Sequence, residues 1–230
     1  MLSIVVPTLN AERSLAACLS ALVQAAADGM VAEVIIADGG STDLGPMIAD
    51  ELGCDVITVP RGRGQQLAAG AREARRGKWL MFLHADTVLE DGWHHEVRSF
   101  IEASEMRGRE QAAFFSFRLD EFGIKASWLE RMVALRCALF ALPYGDQGLI
   151  LPRRLYDSLG GYREMPLMED VDIIRRIGRS RLVMLRSGAV TSAERYRQNG
   201  FIRRSLRNLG CLALYFFRVP PRLISRLYNL

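Results

Sequence analysis

The sequence predicts an α/β protein: a mostly parallel sheet flanked by helices, followed by a basic helical tail. Three observations carry this expectation. Short runs rich in Val, Ile and Leu alternate with Ala- and Leu-rich stretches of helical spacing through the first hundred residues. The links between them are short. Each apolar run ends in a polar segment, and three of the first four such segments carry Asp, Gly or Arg. Strand–helix–strand alternation with short links builds a parallel sheet with helices on both faces.

Leu2–Pro7 reads as a buried strand, rich in β-branched residues. Glu12–Ala27 reads as one helix, with Leu15, Leu19, Leu22 and Val23 as its apolar positions and Asp28-Gly29 as its stop. Val31–Ala37, Asp55–Val59 and Lys78–Leu83 are the next strands, separated by helices over Asp43–Leu52 and Gln65–Arg76. Further on, Ala112–Leu119 alternates like a half-buried strand and Ala126–Leu142 is a hydrophobic helix. Gly148–Leu151 is a short strand, Gly160-Gly161-Tyr162 a turn, Asp170–Ile177 a helix and Leu182–Leu185 a last strand. These boundaries divide the chain into a nucleotide-binding half (1–100), an acceptor half (101–194) and a tail (195–230).

Composition narrows the function classes. The chain has 230 residues, half of them hydrophobic and a quarter charged, which excludes a disordered, collagen-like or coiled-coil protein. Cys18, Cys54, Cys137 and Cys211 are scattered, so neither a disulfide framework nor a structural zinc site is expected. The opening apolar run is too short for a secretory signal. No apolar run reaches the ~18 residues a membrane span needs, and a cytoplasmic protein is expected. Charge is uneven. Eight arginines and no acid stand between Arg195 and the end, so the first 194 residues carry 22 basic against 26 acidic side chains. An acidic body whose aromatics do not interleave with a basic groove disfavours nucleic acid as a partner.

In parallel sheets ligands bind beyond the carboxyl ends of the strands. Those ends read Pro7-Thr8-Leu9-Asn10-Ala11-Glu12, then Asp38-Gly39-Gly40-Ser41-Thr42-Asp43, then Arg61-Gly62-Arg63-Gly64, then His84-Ala85-Asp86. Asp38 in its glycine turn is placed to accept bonds from a ribose or base, with Thr8 and Glu12 beside the same edge. Asp86 can hold a divalent cation against a diphosphate, since Mg²⁺ and Mn²⁺ take one or two carboxylates plus phosphate oxygens. Arg61 and Arg63 can reach phosphates in a forked geometry. Asp-Gly-Gly also makes an ordinary turn, Arg-Gly-Arg-Gly an ordinary solvated loop, and His84 a satisfied strand-end histidine. At consecutive strand ends the set points to a nucleotide-diphosphate site.

The same motifs resemble family 2 glycosyltransferases of the GT-A fold. Pro166-Leu167-Met168-Glu169-Asp170, with Pro143-Tyr144-Gly145-Asp146-Gln147-Gly148, resembles the branch assigned to arsenosugar biosynthesis or associated with radical-SAM and selenodomain proteins. The resemblance implies that Pro7, Thr8, Glu12 and Asp38 bind the nucleotide, and that His84-Ala85-Asp86 stands for the metal motif, with Asp86 as the metal ligand. The first acid of that motif is His84 here. It implies Asp170 as the base that deprotonates the acceptor, beside Glu169. Asp146 is a second carboxylate that positions the acceptor or is itself the base. Gln147 is a candidate contact for hydroxyls, and Arg195 or Arg197 for the diphosphate.

The expected function is a Mg²⁺- or Mn²⁺-dependent inverting glycosyltransferase. It would move a sugar from a nucleotide-diphosphate sugar to a small-molecule or lipid-linked acceptor. A nucleotidyltransferase of the same layered fold, or a catalytically impaired peripheral-membrane or scaffold protein, is the alternative. The tail carries an apolar stripe over Ile202, Leu206, Leu209 and Ala213 and another over Leu223, Ile224 and Leu227. Such a basic amphipathic segment can lie on an anionic membrane surface, cap its own domain or join a second copy in a homodimer.

Overall fold

β1 (Leu2–Thr8) lies within the parallel part of the sheet, third from one edge. Leu2, Ile4, Val5 and Val6 are fully buried, as a strand covered on both faces by helices requires. β2 (Val31–Asp38) and β4 (Trp79–Phe82) flank it in parallel, pairing Thr8 with Asp38 and Val5 with Phe82. β3 (Asp55–Thr58) lies parallel outside β2. Together these strands bring the polar ends of β1, β2 and β4 to one rim. A computed structural model describes residues 1–121, 123–193 and 201–228.

Beyond β4 the sheet changes character. The remaining strands are β5 (Thr87–Leu89), β6 (Ala112–Leu119), β7 (Leu149–Pro152) and β8 (Leu182–Thr191), in the order β3-β2-β1-β4-β7-β6-β8-β5. β7 is antiparallel to both β4 and β6, β5 is antiparallel to β8, and β6 with β8 is parallel. The sheet is therefore mixed, parallel where strand and helix alternate and interrupted by β7.

Two layers of helix cover it. On one face α1 (Glu12–Ser20), α2 (Val23–Ala27), α3 (Gly45–Glu51) and α5 (Trp93–Met106) bury Leu15, Cys18, Ala25, Ala49, Trp93 and Val97. On the other, α4 (Arg63–Glu73), α7 (Arg153–Ser158) and α8 (Glu169–Ile177) bury Leu67, Ala71, Leu155, Ile173 and Ile177. α4 approaches closely because Gly70 has no side chain: a Cβ there would stand 2.3 Å from a Val5 methyl. α6 (Ile124–Phe140) packs Ala126, Leu129, Val133 and Cys137 against β6. α9 (Phe201–Phe216) and α10 (Pro221–Tyr228) complete the chain.

Several sequence expectations are corrected. The helix expected over 12–27 is two helices, broken at Ala21-Leu22, where the Trp93 indole N–H donates to the Ala21 carbonyl at 2.9 Å. α5 had no expected counterpart. Its start is set by Gly92 in the left-handed region (φ 78°), and its apolar face is thin between charged residues. β5 and α7 were also unforeseen, and β8 runs six residues past Leu185.

A buried carboxylate ties the sheet to α4. Glu33 Oε1 accepts from Ser3 Oγ (2.5 Å) and from the Arg75 and Arg76 amides (2.8 and 2.7 Å), and the Gly77 amide donates to Ser3 Oγ (2.8 Å). Burial alone would raise the Glu33 pKa. The hydrogen bonds outweigh it and hold the carboxyl below the usual range. A group whose pKa falls on folding contributes stability above its unfolded pKa, and that stability is lost as pH falls through the folded value. Glu33→Gln is therefore expected to lose about 1–3 kcal/mol of stability at pH 7. The gap to the parent should narrow below about pH 4, as thermal denaturation between pH 7 and 3 would read.

Candidate active site

The loops after β1 and β2 are sewn together by their own motif residues. Asp38 Oδ2 accepts from the Gly40 and Ser41 amides (2.9 and 2.8 Å), while Oδ1 accepts from Ser41 Oγ (2.5 Å) and Thr8 Oγ1 (3.1 Å). Asn10, at φ 51°, accepts the Thr42 amide on Oδ1, and its own amide donates to Ser41 Oγ. The Glu12 amide donates to Asp43 Oδ2 (2.9 Å), and the Glu12 carboxylate accepts the Leu44 amide (3.2 Å). Thr8, Glu12 and Asp38 are thus scaffold for this rim. Pro7 extends the ladder opposite Ala37. Gln66, buried on α4, donates to the Thr8 and Ala37 carbonyls (2.7 and 2.8 Å) and locks the two strand ends to the helix that carries Arg63. Nothing in the sequence reading singled Gln66 out.

β7 supplies the other wall. Its antiparallel pairing sets Phe82 opposite Leu149. The chain leaving β4 at 84–86 therefore runs against the chain entering β7 at 145–147. Ligand atoms of His84, Asp86 and Asp146 all lie within 4.8 Å of one another. His84 Nδ1 is 2.5 Å from Asp146 Oδ1, yet that contact lacks hydrogen-bond geometry and leaves the buried nitrogen without a partner. Asp146 thus joins His84 and Asp86 in one cluster, although it is distant in sequence. Ala85 between them is buried and small.

The third wall is the start of α8. Three acids (Glu169, Asp170, Asp172) occupy its first turn and two arginines (Arg175, Arg176) its last, aligned with the helix dipole. Asp170 Oδ2 accepts the Gly145 amide (3.0 Å) and Oδ1 accepts the Val171 amide (2.8 Å). A Cβ on Gly145 would lie 3.0 Å from the His84 ring and 3.4 Å from Asp170, so any side chain there would press on both. Glu169 is buried, 3.8 Å from Arg63 Nε. Burial, then Asp170, pushes the Glu169 pKa up against the pull of Arg63. For Arg63, desolvation would favour the neutral form. Glu169, Asp146, Asp170 and Asp86 outweigh it and hold the guanidinium pKa above its ordinary value.

The cleft between these walls is lined by Arg63, Tyr144, Gly145, Asp146, Glu169 and Asp170, with Arg136, Leu212 and Tyr228 at its outer side. Of the expected ligand contacts, Gln147 is corrected. Its amide is buried, donating to the Phe115 carbonyl (2.9 Å) and accepting the Tyr144 amide (2.9 Å), which spends it on holding the turn. Arg61 is exposed and outside the cleft lining. Arg195 and Arg197 lie outside the described residues.

Asp38 is the clearest structural member of the rim. Burial would raise its pKa, but the bonds from Ser41, Gly40 and Thr8 win and hold it low. Asp38→Ala is expected to cost about 1–3 kcal/mol at neutral pH. It should also speed hydrogen exchange at the Gly40 and Ser41 amides. Unchanged exchange would remove Asp38 from this role.

Comparison with known proteins is consistent with this geometry. Residues 3–108 match the family model "Glycosyl transferase family 2". A comparison with curated proteins finds no match. Among solved structures, residues 1–349 of Staphylococcus aureus TarS match with a TM-score of 0.64 at 15% identity, over 84% of this chain and 60% of that one. The chain therefore spans less than two thirds of that relative's length. The same protein in complex with UDP-GlcNAc matches at TM-score 0.62 and 16% identity, over 83% of this chain and 58% of that one. Glucosyl-3-phosphoglycerate synthase from Mycobacterium tuberculosis, in complex with Mn²⁺, UDP and glucosyl-3-phosphoglycerate, matches at TM-score 0.56 and 23% identity, over 82% and 70%. The fold is that of the GT-A glycosyltransferases.

Proposed function

We propose that this chain is an inverting glycosyltransferase that takes a sugar from a nucleotide-diphosphate donor with the help of Mg²⁺ or Mn²⁺. One observation carries the reading: the His84, Asp86 and Asp146 cluster lies beside Glu169 and Asp170, and Arg63 feels the charge of all four acids. Residues 1–194 would form the transferase and residues 195–230 its tail. The arsenosugar branch belongs to this proposal only as the resemblance implied it.

The residues fit a divalent cation. The buried Nδ1 of His84 has no hydrogen-bond partner, and two carboxylates stand within reach of it. Two carboxylates and an imidazole suit Mn²⁺ well and leave room for phosphate oxygens. A cation held there would offset the charge of the departing nucleoside diphosphate. Support for the donor class comes from UDP in the complexes of the structural relatives.

The chain's own groups would do the rest. The 38–43 loop would receive the nucleoside, and Arg63 would meet the diphosphate. Asp170 would take the acceptor's proton as its oxygen bonds to the anomeric carbon and the bond to the diphosphate breaks. Amides from Gly145 and Val171 hold the Asp170 carboxylate in place while each oxygen keeps a second acceptor site. Asp146, close against His84, is better suited to the cation than to the base.

The test is a thermal-shift screen of nucleotide sugars with and without Mn²⁺. A donor is expected to shift the parent only when the cation is present. His84→Ala, Asp86→Ala and Asp146→Ala should each lose that cation-dependent shift. Asp170→Asn should keep it while turnover falls about 10²–10⁴-fold. Absence of a cation-dependent shift with every donor, coupled to pyrophosphate release from a nucleoside triphosphate, would overturn the reading in favour of nucleotidyl transfer.

A further inference from the structure

The helices outside the sheet leave a second cavity that the nucleotide chemistry does not use. α6 is apolar on both sides. Leu129, Val133 and Cys137 face β6, while Trp128, Met132, Leu135 and Leu139 are 43–54% exposed on the other side. A helix with an apolar stripe on each of two sides has apolar surface to cover on both. Against that outer face lies α9, which presents Leu209, Leu212, Ala213 and Phe216. The groove between the two encloses about 620 Å³, within the range of small-molecule sites.

Two features give the groove a direction. Arg136, Tyr144 and Leu212 line both this groove and the cleft that holds Asp146, Glu169 and Asp170, so the two spaces adjoin across these three side chains. Among the described residues Arg136 is the charged one in the groove lining, and it sits where the two spaces adjoin. Its Cζ stacks 3.9 Å over the Tyr144 ring, and its buried Nε has no hydrogen-bond partner. A buried guanidinium N–H without an acceptor is costly, and an anion placed there would relieve it.

We propose that this groove seats the hydrocarbon chain of an amphiphilic acceptor, with an anionic group at Arg136 and a hydroxyl directed toward Asp170. The inference rests on the transferase reading above and names the acceptor class for it. An amphiphile of this kind matches the sequence of surfaces it would meet: apolar walls first, one cation at the junction, then carboxylates. A second copy covering α6 leaves the unpartnered Arg136 nitrogen unexplained. In the transfer the acceptor hydroxyl loses its proton to Asp170, its oxygen forms the bond to the anomeric carbon, and the nucleoside diphosphate leaves with the electrons of the broken bond.

The full chain carries its own reporter. Trp79 and Trp93 are buried, whereas Trp128 is half exposed at the groove. Titration with dodecyl phosphate below its micelle concentration is expected to give a saturable blue shift of Trp128 emission, abolished in Trp128→Phe. Dodecanol should bind more weakly and inorganic phosphate should give no shift. Met132→Glu, at an exposed position that leaves folding intact by circular dichroism, should weaken dodecyl phosphate at least about tenfold by placing a charge in the groove. Arg136→Gln should erase the preference for dodecyl phosphate over dodecanol.

Three results would overturn the inference. One is no saturable binding of either amphiphile. Another is a dimer in sedimentation that Met132→Glu converts to monomer, which would assign the groove to a second copy. The third is binding to phosphatidylglycerol vesicles that Met132→Glu abolishes, with no binding of the monomeric amphiphile. The cation-dependent nucleotide-sugar shift is read on the same protein. If it persists while dodecyl phosphate fails to bind, the acceptor class alone is refuted; if it fails, the transferase reading falls independently.

Discussion

Four carboxylates, Asp86, Asp146, Glu169 and Asp170, act on Arg63 in this cleft, and the arrangement of the site follows from that concentration of negative charge. Like charges brought together raise one another's pKa and resist burial, as the upward shift of Glu169 shows. The fold opposes this repulsion with oriented dipoles. Glu169 and Asp170 open α8, where the helix N-terminus favours negative charge, and backbone amides hold both Asp170 oxygens. His84 adds a buried ring nitrogen, Nδ1, that has no hydrogen-bond partner. A site so arranged has surplus negative charge until a cation enters, which is the electrostatic condition for receiving a diphosphate together with a metal.

The sheet produces this convergence through one departure from parallel order. Parallel β1, β2 and β4 bring the 38–43 loop and the 84–86 segment to a common rim. Parallel pairing alone would bring only strand ends of one sense there. Antiparallel β7, by pairing Leu149 with Phe82, delivers the start of a strand to the end of another, and Asp146 arrives beside His84. Gly145 then sets the spacing to Asp170. Strand direction thus brings a carboxylate from about sixty residues downstream to the 84–86 segment.

What could be read beforehand divides along the same line. The strands of the first half were legible because each is a short β-branched run with a polar stop, and the rim residues because they stand at those stops. Thr8, Glu12 and Asp38 were found as motif members, but their hydrogen bonds bind the loops to each other, a role that spacing does not reveal. The pairing of His84 with Asp146 was not legible, since nothing local announces that β7 enters between β4 and β6. Gln147 was misread because its neighbours are polar, while its amide points into the core toward Phe115. α5 escaped notice because a helix start set by a left-handed glycine carries little signal beside a run of charges.

The tail shows how composition can mislead about position. Its arginines and apolar stripe suit a membrane surface, a partner or its own domain equally well on sequence grounds. In the structure Ile224 and Cys211 are buried, and Leu212 and Tyr228 line the cleft. Arg175 of α8 stacks over Tyr215 and Phe216, and Arg207 over Tyr228, so cation–π contacts fasten α9 to the helix that begins with Glu169 and Asp170 and fasten α10 to α9. α9 therefore has a double attachment, to the catalytic helix on one side and to the groove beside α6 on the other. Leu212 forms part of the walls of both groove and cleft, so the placement of α9 sets the shape of both spaces at once.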